Sequence, residues 1–185
     1  MRDPAAETLP WEAQAAADDA AYRAQVGYLF ERSDFYRHKL AAAGFRDAAA
    51  AGGLDAIAAL PLTEKDELRA SRTELHPIGA HMAAPMAEVA RIYSTSGTTG
   101  TPSYVPLTAG DLAQWVEISA RSYAASGVTA GDRLVSTYGA GPFVAGAALD
   151  AFAALGLCHI PVGPGNSDRL LAAIDRATRG TAVIS

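Results

Sequence analysis

The segment Ser94-Thr95-Ser96-Gly97-Thr98-Thr99-Gly100-Thr101-Pro102 holds the residues of this 185-residue chain whose types and spacing could do chemistry. Hydroxyl side chains crowd around two glycines and a proline, which leaves many donors and little bulk. Gly97 and Gly100 open backbone conformations closed to other residues. Peptide N–H groups can therefore converge on an anion while Ser96, Thr98 and Thr99 add hydroxyl donors. Phosphate oxygens suit such a loop. The bland alternative is a polar hairpin turn, but a turn needs only roughly two to five residues and gains nothing from a run of hydroxyls. A Walker loop is excluded, because the GxxxxGK[ST] spacing is absent and the residues that follow read as a strand rather than a helix. Kinase and GTPase chemistry recede with it.

The elements that must position this loop are legible around it. Short β-prone runs, Val89 to Tyr93 and Tyr104 to Leu107, flank it on either side. Thr108-Ala109-Gly110-Asp111 has the spacing of a capping box. It opens a helix with Leu112, Trp115, Val116 and Ser119 on one face that stops before Gly127. A strand Leu134 to Tyr138, a helix Phe143 to Leu155, a strand Cys158 to Val162, a helix capped by Asn166 or Ser167 and a final strand Ala182 to Ile184 complete the series. Strands alternating with helices predict an α/β fold with a largely parallel sheet covered by helices. The last strand has no covering helix after it, so the chain reads as the front of a longer protein.

Ahead of the loop the chain reads as helical. Tyr22, Val26, Leu29 and Phe30 lie at helical spacing within Glu12 to Arg32. Ser33 is placed to cap a shorter helix carrying Phe35, Tyr36 and Leu40 that ends near Gly44. Thr63 and Asp66 have capping-box spacing for another, with Lys65 in solvent. The expected division is therefore a helical region over residues 1–87 and a phosphate-loop α/β region over 88–185.

Composition sets outer limits. Fifteen Lys plus Arg against twenty Asp plus Glu give a formal charge of −5, without the clustered basic surface that nucleic-acid backbones require. The single cysteine, Cys158, forms neither an internal disulfide nor a CxxC metal site, and it is expected to be a buried small hydrophobe in a cytoplasmic protein. No metal-ligand cluster is evident. The acidic N-terminus does not resemble a secretory signal, and the apolar stretch Gly139 to Val162 is broken by Asp150 and His159, so no membrane span is expected. His159, on an apolar strand, reads as a satisfied core histidine rather than a ligand or base. Gly163-Pro164-Gly165-Asn166 reads as a strand-to-helix turn, since it lacks a GxGxxG pattern.

On the residues Ser94 to Pro102, the loop resembles the ATP-phosphate loop of the adenylate-forming superfamily of acyl-CoA ligases, luciferases and peptide-synthetase adenylation domains. Ser33-Asp34-Phe35-Tyr36-Arg37 and Leu60-Pro61-Leu62-Thr63-Glu64-Lys65 look like the N-terminal helices of its phenylacetate-CoA ligase branch, and Gly127 to Arg133 is similar to a superfamily turn. The resemblance covers most of the chain from about Ser33 onward. It implies that Ser94, Thr95, Ser96, Gly97, Thr98, Thr99, Gly100 and Thr101 contact the ATP phosphates. Many relatives carry lysine where Thr101 stands here, so this loop relies on dipoles rather than a point charge.

The same resemblance places an acyl pocket at Tyr138, Gly139, Phe143, Gly146 and Ala147. The two aromatic residues would wall an aryl ring and the small residues would leave it room, although both aromatics could equally serve as core. The reaction it implies is AMP-forming. A carboxylate attacks the α-phosphorus of ATP, with Mg²⁺ carried by the nucleotide, and a thiol such as CoA captures the acyl-adenylate. Carrier-protein transfer and a homodimer stay open, as does a non-catalytic nucleotide- or partner-binding module. The catalytic residues of the family, its adenine-binding motif and its metal-holding acid have no counterpart before Ser185, and the resemblance places them beyond it.

Overall fold

A computed structural model describes residues 2–95, 102–139, 145–177 and 181–184 of the chain. The chain divides into two compact units. One comprises Met1–Glu7, Ala90–Pro102 and Leu107–Ser185, the other Thr8–Val89 and Ser103–Pro106.

In chain order the elements are helix α1 (Pro4–Glu7), α2 (Trp11–Arg32), α3 (Asp34–Ala42), α4 (Lys65–Ala70), strands β1 (Val89–Ser94) and β2 (Tyr104–Thr108), α5 (Ala109–Ala125), β3 (Arg133–Ser136), α6 (Ala145–Ala154), β4 (Cys158–Pro161), α7 (Ser167–Arg176) and β5 (Thr181–Ile184). Short 3₁₀ turns lie between α3 and α4 and before β1. Strands β1 and β2 form a two-stranded sheet, and the other three form a sheet in the order β4-β3-β5. Both pairings of β3 are parallel, with Leu134 opposite His159 and Ala182. The α/β class with a parallel sheet and covering helices is therefore the observed one.

The parallel unit is built around small residues. Ala120 of α5 and Ala147 and Ala151 of α6 are fully buried, which lets the two helices approach closely. Val116, Tyr123, Leu155 and Leu157 fill the space around Ala120 and Ala151. In β3, Leu134 and Val135 are inaccessible to solvent, each burial being worth roughly 1.5–3 kcal/mol. The first turn of α5 closes as its sequence predicts: Thr108 Oγ1 accepts from Asp111 N–H, and Asp111 accepts from Thr108 N–H. Arg2 reaches back to Glu117, with Nη2 2.9 Å from the carboxylate, and donates from Nη1 to the Ala154 carbonyl.

In the other unit Ser33 is wholly buried. Its Oγ accepts from Tyr36 N–H at the start of α3 and donates to the His81 carbonyl at 3.3 Å. Lys39 of α3 grips Glu67 of α4, with Nζ–O distances of 2.5 and 2.6 Å. That same glutamate corrects the expected start of α4. The capping box runs from Glu64 to Glu67, one residue beyond Thr63 and Asp66, because a glutamate carboxylate at the cap also accepts the backbone N–H there. Gly79 is held at φ +135°, and a Cβ there would fall 2.4 Å from His81 Nδ1, so a glycine is required on two counts. Lys65 is exposed, as expected.

Candidate active site

The carboxyl end of β1 presents the first hydroxyls of the loop. Ser94 is its last residue and Thr95 follows; Ser96, Gly97, Thr98, Thr99, Gly100 and Thr101 lie outside the described residues. Directly before Ser94, Tyr93 is the anchor of the strand, only 3% exposed. Its ring packs with Leu107, Ala147, Leu112 and Trp115, the Tyr93 and Trp115 ring centroids 6.2 Å apart. Its hydroxyl accepts from Arg91 Nη1 at 3.0 Å, and the same nitrogen donates to Asp150 Oδ2 of α6 at 2.5 Å. The hydroxyl and then the carboxylate hold the Arg91 guanidinium more firmly protonated than usual.

Of the residues expected around an acyl group, Tyr138 and Gly139 precede the segment 140–144 and Gly146 and Ala147 follow it. Strand β3 stops at Ser136, so Thr137, Tyr138 and Gly139 continue as irregular backbone from the carboxyl end of a parallel strand, where α/β folds bind ligands. Tyr138 is half-buried and Gly139 exposed beside Pro164, whose Cδ lies 3.5 Å from where a Cβ would project. Phe143 lies outside the described residues. Gly146 and Ala147 sit in the first turn of α6. Ala147 is fully buried in the Tyr93–Leu107 cluster. A Cβ on Gly146 would lie 3.2 Å from Tyr93 Oη and 3.3 Å from its Cε1, so this glycine gives room to tyrosine. The structure thus joins Gly146 and Ala147 to the strand that leads into the segment 96–101.

Around the end of β3 lies a mixed aromatic and polar layer. Ser136, inaccessible to solvent, pairs through Oγ with His159 Nε2 at 2.8 Å. His159 also packs on Phe152, centroids 5.1 Å apart, and Phe152 on Tyr123, again 5.1 Å. Burial pushes the His159 imidazole below its ordinary pKa, so it is held neutral. His159 is thus the satisfied histidine its strand position suggested. Burial, with Tyr138 as a second contributor, pushes the Tyr123 phenol up.

Cys158 departs from expectation, since its side chain is exposed rather than buried. It opens β4, which lies at the edge of the described three-stranded sheet. It lines a cleft of about 350 Å³ with Arg133, Ile160, Arg169 and Arg176. Asn166 does cap α7, its side chain accepting from Arg169 N–H at 3.0 Å, and the turn before it is a simple strand-to-helix turn. Among the described residues no three His, Cys, Asp or Glu side chains are placed to hold a metal ion. No helix among them is long and apolar enough to cross a membrane. Arg91 and Asp150, which join β1 to α6, carried no sequence signal: they are 59 positions apart and neither stands in a motif.

Comparison with solved structures agrees with this fold. No family model matches the chain. A phenylacetate-coenzyme A ligase of Thermus thermophilus is 39% identical over 170 residues, covering 91% of this chain and 37% of that relative. The corresponding ligase of Escherichia coli is 34% identical over 148 residues, covering 77% of this chain and 31% of its own length. A crystal structure of 2-hydroxyisobutyryl-CoA ligase, in complex with 2-HIB-AMP and CoA in its thioesterification state, matches with a TM-score of 0.80. It is 25% identical, and the match covers 91% of this chain and 35% of that one. The chain therefore belongs to the adenylate-forming, AMP-forming acyl-CoA synthetase superfamily and is of the phenylacetate-CoA ligase-like kind. It spans a little over a third of the length of the curated relative from Thermus thermophilus.

Proposed function

We propose that this chain supplies the ATP-phosphate loop and part of the acyl pocket of an AMP-forming acid–thiol ligase that activates an aromatic carboxylic acid and passes it to CoA. The observation that carries this reading is the hydroxyl- and glycine-rich segment Ser94 to Thr101, launched from the carboxyl end of β1 in a chain of this superfamily. Its donor set fits triphosphate: peptide N–H groups and neutral hydroxyls donate to phosphate oxygens, and the loop presents no carboxylate to repel them.

A carboxylate needs no general base to attack phosphorus. The work of the protein is therefore alignment and neutralisation of charge on the phosphates. Ser94 and Thr95, fixed by the buried Tyr93 before them, would orient the start of the loop, and Ser96, Thr98 and Thr99 would donate to phosphate oxygens. ATP brings the electrophilic phosphorus and the pyrophosphate leaving group. Tyr138 and Phe143 would hold an aryl ring by their flat faces, which is the ground for preferring an aromatic acid. Relatives named as phenylacetate-CoA ligases support that preference, and the neighbour holding 2-HIB-AMP and CoA supports a CoA acceptor.

The test is ATP–pyrophosphate exchange by the complete gene product across a panel of aromatic and aliphatic acids, followed by thioester formation with CoA. Exchange that depends on an aromatic acid is expected. Exchange with short hydroxy acids alone would overturn the aromatic assignment, and exchange with no acid would overturn the ligase reading.

A further inference from the structure

Between strands β3 and β4 and helix α7, the cleft of about 350 Å³ combines three arginines with small apolar residues. The alternation of a strand puts Cys158 and Ile160 on one face of β4 and His159, packed on Phe152 of α6, on the other. Arg133 stands opposite Cys158 in the parallel register and lines the cleft with it. From α7 come Arg169, Ala172, Ala173 and Arg176, the positions that three- and four-residue spacing brings to one side of a helix. Arg169 and Arg176 are two turns apart, so about 10 Å of helix separates them, and the two alanines leave the space between them open. No ion pair among the described residues engages either guanidinium. No carboxylate lines the cleft, although the chain as a whole carries a formal charge of −5. Asp132, beside Arg133, is engaged elsewhere: its Oδ2 accepts from the N–H and the hydroxyl of Thr129. Asp168 and Asp175 are on α7 but outside the lining.

Guanidinium groups gathered without carboxylates attract anions, and their planar forks match the oxygens of phosphate. The separation of Arg169 from Arg176 favours an anion charged at more than one centre. We propose that this cleft binds a multiply charged phosphate anion, a diphosphate or the phosphate chain of a nucleotide, with Arg169 and Arg176 on its two ends and Arg133 meeting it from the sheet. The volume lies near the lower end of the range for small-molecule sites, which suits a ligand of that size. Cys158, exposed in the same lining, touches the bound anion's space and reports on it. The assignment rests on the charge and shape of the cleft and stands independently of the ligase reading.

The experiment uses the complete gene product and follows alkylation of Cys158 by mass spectrometry of the peptide that contains it. Iodoacetate is negatively charged and iodoacetamide is neutral, so the ratio of their rates reads the local charge. In the folded wild type that ratio is expected to be about threefold or more above its value in the same protein unfolded in urea. Sodium pyrophosphate and, separately, ATP are then titrated against alkylation by iodoacetamide, with sodium chloride at matched ionic strength as the control. Protection of about fivefold or more is expected once the anion is well above its Kd. Protection by pyrophosphate assigns a free diphosphate, and protection by ATP alone assigns a nucleotide. The double variant Arg169→Gln/Arg176→Gln should lose both the raised ratio and the protection while keeping the wild-type Tm. The single variant Arg176→Gln, at an exposed position, serves if the double variant does not fold, and should weaken both effects. An unreactive Cys158 in the folded wild type, a ratio no higher than in urea, protection by neither anion, or protection undiminished in a folded variant would overturn the site.

Discussion

Ser136 Oγ and His159 Nε2 lie 2.8 Å apart, joining adjacent parallel strands just below the point where β3 gives way to Tyr138. Ser136 is inaccessible to solvent, so removing its hydroxyl leaves an imidazole nitrogen short of a partner. Ser136→Ala is expected to cost about 1–2 kcal/mol of stability, and Ser136→Thr less. Urea unfolding followed by circular dichroism measures both; equal stability of Ser136→Ala and wild type would mean that the hydrogen bond contributes nothing net.

The two perturbed histidines set a pH dependence whose sign is fixed. Burial lowers the pKa of His159, and burial followed by the nearby Arg72 charge lowers that of His81. With folded values below the ordinary ~6.5, the unfolded chain binds more protons than the folded one in the interval between them. Stability is therefore complete above about pH 6.5 and falls as pH drops through the depressed folded values. Thermal midpoints at pH 7.5, 6.5 and 5.5 should decline in that order, and His81→Gln should flatten part of the slope. A midpoint that rises on acidification would contradict the neutral assignment.

The proposed phosphate-binding role of Ser94 to Thr101 is tested by the hydroxyls of the segment. Replacing Thr98 and Thr99 together by alanine in the complete gene product should slow adenylation by roughly 10²-fold or more through loss of donors to phosphate, with the circular dichroism spectrum unchanged. Thr101→Lys should tighten ATP binding, because an ammonium adds a charge where only dipoles stand. An unchanged or larger ATP dissociation constant would show that Thr101 does not face the nucleotide.

Tyr138→Ala and Phe143→Ala should raise the KM for the acid far more than that for ATP and broaden acid specificity, since each would remove an apolar wall of the pocket. Initial-rate kinetics at varied acid and varied ATP separate the two constants. Equal changes in both, accompanied by a lowered Tm, would assign these aromatics to the core.

Local chemistry made part of this molecule legible in its sequence. The Thr108–Asp111 box, the Ser33 cap and the Asn166 cap each close over three residues, so type and spacing suffice to place them. The same rule slipped by one position at Glu64, where two acids compete for a single helix start. Strand β3 ended two residues earlier than Leu134 to Tyr138 suggested, because ladder partners rather than β propensity decide where a strand stops. Cys158 was misplaced for a related reason: cysteine is usually buried, but exposure depends on which strand falls at the edge of a sheet. The segment Ser94 to Thr101 was singled out through its density of hydroxyls and glycines. The Arg91–Asp150 bridge was not, since two ordinary charged residues 59 positions apart meet only once β1 and α6 have packed.

The most direct test of the ligase assignment is carboxylate-dependent ATP–pyrophosphate exchange by the complete gene product, measured for wild type and for the Thr98/Thr99 double alanine variant with phenylacetate as the acid. Exchange that requires the acid is predicted in the wild type, and roughly 10²-fold slower exchange in a folded variant. Exchange at equal rates in both proteins, or none in a folded wild type with any acid of the panel, would contradict it.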